Sequence, residues 1–173
     1  KDQMLDSPLN RSAYCLAVAT INAPHMVLWQ EQGNDQTPFK KLLQKQTLWL
    51  LGELKSKANL ERHFTEFEEW RKEQIFDDSI GGRIQDMTCT ALHLSLEQLL
   101  DTDCDDIDLL EGYIGALMDE LDDLDQDTQP MRQYLIDIQT EFSDFGVFSN
   151  IPLPKQFRRW LSEFDASLFG LTL

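Results

Sequence analysis

Cysteine, positive charge and long apolar runs are all scarce in this chain, and each shortage excludes something. The 173 residues hold 3 cysteines. Cys15, Cys89 and Cys104 are odd in number, widely spaced and outside any C-x-x-C arrangement, so neither a disulfide framework nor a zinc knuckle is indicated. Free thiols of this kind suit a reducing compartment, and the expected location is the cytoplasm. No apolar run approaches the ~18 residues of a membrane span. The opening Lys1-Asp2-Gln3-Met4 has no apolar stretch of a secretory leader, although with Lys1 rather than Met in first place this weighs little.

Cations are outnumbered: 15 Lys+Arg stand against 31 Asp+Glu, a formal net charge of -16. Such a field repels phosphate backbones and anionic headgroups over a Debye length, which makes nucleic acid and membrane surfaces poor direct partners. Two roles for the acidity remain, solubility and recognition of a basic partner surface, the second including mimicry of DNA. The charge does not signal disorder, because 42% of the residues are hydrophobic and 10% aromatic, enough to fill a core.

Motifs of chemistry are scarce as well. There is no G-x-S-x-G elbow, no H-E-x-x-H and no glycine-rich phosphate cradle. Gly81-Gly82-Arg83 lacks a preceding strand and a following Lys-Ser/Thr, and reads as a turn or a close backbone approach. Asp101-x-Asp103-x-Asp105 imitates the start of a calcium loop, but position six is Asp106 rather than glycine and position twelve is Gly112 rather than glutamate. Asp123-x-Asp125-x-Asp127 departs from the pattern in the same two places. His25, His63 and His93 fall on separate helical segments. His63 and Glu66 share a face, but the E-x-x-H of di-iron bundles has the reverse order and a second copy. No cofactor or metal is therefore indicated.

What is present is helical periodicity. Ser7-Pro8 and Thr37-Pro38 have the form of helix starts. Asn22-Ala23-Pro24 predicts a kink or break after the first apolar stretch. A helix is expected from Thr37 to about Lys57, and another, capped by Asn59, with Leu60, Phe64 and Phe67 inward and an end near Gln74. A largely buried helix carries Ile84, Met87, Ala91 and Leu94. From Asp105 the series Ile107, Leu110, Ile114, Leu117, Leu121, Leu124 marks one apolar face with an acidic back. Met131, Ile138, Phe142 and Phe145 form the next stripe, ending at Gly146. A last helix runs around Phe157, Trp160, Leu161, Phe164 and Phe169, among Lys155, Arg158 and Arg159. No segment alternates with period two or has linker composition. The fold class expected is all-α, a single-domain bundle of about six to eight helices over residues 1–173, with 150–173 a terminal helical segment packing on its own bundle or on a second subunit.

The order of Tyr14 to Ala19, Pro24 with Leu28-Trp29, Leu48-Trp49-Leu50, Phe67-Glu68-Glu69, and Gly81 or Gly82 with Asp86 and Ala91-Leu92 resembles the YjaG-like family of small helical proteobacterial proteins. The likeness covers about residues 10 to 100. The chain departs from the family pattern at Thr20 to His25 and at Ile80 to Ile84. The resemblance implies an all-helical fold and carries no activity onto these residues.

The expected function is that of a noncatalytic protein–protein interaction module. Its candidate surface is the acidic set Asp105, Asp106, Asp108, Asp119, Asp122 and Asp123 with the terminal aromatics Phe157, Trp160 and Phe164; the partners considered are another protein, one with a basic surface included, and a second copy in a homodimer. The alternative is an enzyme or small-molecule binder with a site assembled between helices around His63, Glu66, Asp86 or His93. A DNA-mimic type of binder is the third reading.

Overall fold

A computed structural model describes residues 3–101 and 106–172. After a 3-10 turn at Gln3–Asp6 come α1 (Pro8–Glu31), α2 (Thr37–Leu50), α3 (Lys57–Glu73), α4 (Ile80–Leu100), α5 (Ile107–Asp123), α6 (Gln129–Ser143) and α7 (Lys155–Ser162). The described residues contain no strand, and the architecture is the expected all-α bundle. No described helix is long and apolar enough to cross a membrane.

The bundle is organised on α1, in which every residue from Asn10 to Ala19 is buried. A helix covered all round must be surrounded by others, and its most extensive contact is with α4. Small side chains permit this approach: Ser12, Ala13, Ala17, Ala91 and Ser95 are all fully buried. Ser12 Oγ donates to the Ser95 carbonyl at 2.7 Å and Ser95 Oγ donates to the Ser12 carbonyl at 2.8 Å. The two backbones thus lie within one short side chain of each other. Gln46 Nε2 of α2 completes the cluster at 3.0 Å from each hydroxyl, so a buried polar seam links three helices with its donors satisfied.

The break expected at Asn22-Ala23-Pro24 does not occur, and α1 runs through Pro24. An interior proline costs about 3 kcal/mol. On either side of it Ile21, Met26 and Trp29 are buried, each contributing roughly 1.5–3 kcal/mol, so packing outweighs local preference.

Other boundaries also move. Helix α2 stops at Leu50, short of Lys57, because Gly52 takes φ +74° and closes a Schellman motif, with Glu53 N–H on the Leu48 carbonyl at 2.8 Å and Gly52 N–H on the Trp49 carbonyl at 3.1 Å. A Cβ at Gly52 would also come within 2.8 Å of Pro152. The cap of α3 is Ser56 rather than Asn59; its hydroxyl accepts the Asn59 N–H at 3.1 Å. Ser79 caps α4 by accepting from Gly82 N–H at 3.0 Å, which places both glycines in the first turn. A Cβ at Gly82 would overlap the Asp77 backbone.

The C-terminal half packs differently. Phe142 of α6 lies 5.5 Å from Tyr14, 6.4 Å from Phe157 and 5.9 Å from Trp160. Phe145 and Phe148 complete an aromatic cluster. Phe157 is fully buried and Trp160 8% exposed, so these two aromatics, expected on an interaction surface, belong to the chain's own core. Helix α7 ends at Ser162, and the residues that follow fold back over α1 and α6 without helix.

Candidate functional site

Where the last segment folds back, a pocket of about 570 Å³ opens between α6, α7 and residues 163–170. Its walls carry the aromatic rings of Tyr134, Trp160 and Phe164 and the carboxylates of Glu141, Glu163 and Asp165, and none of its lining residues is Lys or Arg.

Each group is held by the local fold. Trp160 and Phe164 lie one helical turn apart, which sets their rings edge to face at 4.9 Å and 72°. Trp160 Nε1–H donates to Glu141 Oε1 at 2.7 Å, orienting that carboxylate and leaving its other oxygen outside this bond. Tyr134 OH donates to the Ala166 carbonyl at 2.8 Å, tying α6 to the final segment. Burial, with Asp165 and Glu141 nearby, raises the Tyr134 pKa. The phenol therefore stays neutral, and the pocket's charge is that of its carboxylates.

The segment behind the pocket is latched to α1. His25 Nε2 lies 2.7 Å from Ser167 Oγ, 142 residues away, and Leu168 N–H donates to Asn22 Oδ1 at 3.2 Å. Ser167 Oγ accepts the N–H groups of Phe169 and Leu171, each at 3.1 Å. Its proton therefore points to His25, whose Nε2 must be the unprotonated acceptor. Burial drives the His25 pKa down to about 4, in keeping with that role. A serine 1% exposed, with both lone pairs engaged and a weakly basic imidazole as its partner, is arranged as a fastener rather than a nucleophile.

The residues singled out in the sequence are dispersed. Trp160 and Phe164 do meet in this pocket. Asp106, Asp108, Asp119, Asp122 and Asp123 are exposed on α5 or at its start, and two of them pair with α6: Arg132 NH2 lies 2.8 Å from Asp119 and 2.7 Å from Asp122. Asp105 lies outside the described residues, as do Asp103 and Cys104. The acidic run after α5 is also structural. Asp125 takes φ 61° as the left-handed residue of a second Schellman motif, with Gln126 N–H on the Leu121 carbonyl at 3.0 Å, and Asp127 Oδ1 accepts the Gln129 N–H at 3.1 Å. Leu124, expected on the apolar stripe, falls in this cap and is 57% exposed.

Each residue weighed for an enzyme site has a polar partner close by. His63 faces Glu66 at 3.7 Å. His93 Nε2 meets Glu97 at 2.6 Å. Asp86 accepts from Tyr113 OH at 2.9 Å and faces Arg71 at 3.3 Å. Among the described residues no three His, Cys, Asp or Glu side chains are grouped as a metal ion would need. Cys15 and Cys89 are buried thiols outside any disulfide, and burial pushes Cys89 up to about 12.

Sequence reasoning missed Tyr134, Glu141, Glu163 and Asp165. The signal available was weak: Glu163 and Asp165 on either side of Phe164, just after a helix whose charged residues are all basic. No family model matches the chain, and no curated protein or solved structure matches it.

Proposed function

We propose that this chain is a noncatalytic binding protein whose C-terminal pocket receives a positively charged side chain presented by a partner protein. The observation that carries the reading is the lining itself, three aromatic rings and three carboxylates with no cation. An ammonium or guanidinium group placed there gains from the ring quadrupoles and from the carboxylates together. The net charge of -16 adds steering, since a basic partner is drawn in at long range and held at short range. The YjaG-like resemblance adds a fold and no activity to this reading. The partner is read as a basic protein segment, and the exposed acids Asp108 and Asp123 serve as its approach surface.

The test is calorimetric titration of the whole chain with a tri-arginine peptide at low salt, beside the variant E163Q/D165N. Saturable one-to-one binding, weakened about tenfold or more in the variant, is the expected outcome. Equal binding by both proteins would reduce the interaction to bulk charge and remove the pocket from the account.

A further inference from the structure

On the other side of α7 the charge reverses. Helices α2 and α7 contain no Asp or Glu, and between them carry Lys40, Lys41, Lys45, Lys155, Arg158 and Arg159. In a chain of net charge -16 these two helices flank a second cavity of about 500 Å³, which α1 also lines. Leu43, Leu48 and Leu161 supply its apolar wall, Lys40 and Arg158 its charge, and no carboxylate lines it. The hydroxyl of Thr20 donates back to the Leu16 carbonyl at 2.8 Å, so it can only accept from a guest. Arg158 reaches Glu53 from an exposed position, while Lys40 has no ion-pair partner among the described residues.

We propose that this groove binds an amphiphilic carboxylate, a fatty-acid-like molecule whose alkyl chain lies on Leu43, Leu48 and Leu161 and whose carboxylate is held by Lys40 and Arg158. Three observations converge on that class. The volume falls in the range of small-molecule sites, roughly 300–1,000 Å³. The wall is apolar, so a purely polar anion would leave it wet. The charged groups are cations in a molecule whose overall field repels anions, so an anion is retained there by local contacts and not by steering. The inference is independent of the binding proposed at the acidic pocket, with which the groove shares no lining residue.

Laurate below its micellar concentration is the probe, titrated calorimetrically into the whole chain, with dodecylamine and an acidic helical peptide as comparisons. One-to-one laurate binding, reduced about tenfold or more in K40Q/R158Q and unchanged in E163Q/D165N, supports the proposal. The single variant K40Q leaves the Arg158–Glu53 pair intact and is expected to show part of the loss, so a folding defect in the double variant does not decide the matter. Absence of saturable laurate binding overturns the proposal. So does equal binding of dodecylamine, which would mean adsorption to apolar surface. Binding of the acidic peptide in place of laurate overturns it in favour of a protein ligand.

Discussion

The two flanks of α7 share one buried stripe, Phe157, Trp160 and Leu161, yet present opposite chemistry. One flank joins α6 and the final segment, whose Glu141, Glu163 and Asp165 surround aromatic rings. The other faces α2, whose Lys40 lines the groove with Leu43 and Leu48. The same eight-residue helix thus separates a carboxylate-lined pocket from a groove lined by Lys40 and Arg158. Net charge, summed over the chain, hides both: six of the 15 Lys and Arg residues fall on the acid-free α2 and α7, and the fold places those two helices on either side of one groove.

The difference can be broken most severely at its shared base. Phe157→Ala removes a fully buried ring that packs against Phe142, Phe145, Phe148 and Trp160. A loss of about 3–5 kcal/mol in urea unfolding is expected, with ligand binding on both flanks impaired.

Acid acts on the cation flank through the latch. His25 has its pKa lowered to about 4 from 6.5. Between those values the unfolded chain binds more protons than the folded one, so stability is fully present above pH 6.5 and is lost as pH falls toward 4. The His25 contribution is on the order of 3 kcal/mol. His25→Gln should flatten that part of the pH–stability profile, and urea midpoints measured from pH 7 to 4 check it.

A smaller effect sharpens the comparison between the two Schellman motifs. Gly52 fills its left-handed position with the residue that favours it, whereas Asp125 holds φ 61° at some strain. Asp125→Gly should raise stability by up to about 1 kcal/mol, read as a shift in thermal midpoint, with both ligand affinities unchanged.

Much of the fold was legible in the residues. The stripe of Leu60, Phe64 and Phe67 and that of Ile107, Leu110, Ile114 and Leu117 are buried as their spacing predicts, because helical period and apolar burial are local properties. Pro24 was misleading because its cost is local while its compensation, the burial of Ile21 and Met26, is tertiary. The site was largely hidden for the same reason. Trp160 and Phe164 stood out as aromatics, but Tyr134 reaches the pocket from a different helix, and the segment behind it is fixed by a hydrogen bond spanning 142 residues. Lys155, Arg158 and Arg159 were visible as late positive charge; their pairing with the acid-free α2 required the fold.

The most direct test of the cation pocket follows the indole N–H resonances of the four tryptophans in a ¹⁵N-labelled chain during titration with the tri-arginine peptide. The account predicts that the Trp160 signal, from the ring held to Glu141, moves saturably while those of Trp29, Trp49 and Trp70 stay in place, and that E163Q/D165N removes the movement. Equal shifts at all four indoles, or a Trp160 shift indifferent to the variant, would contradict it.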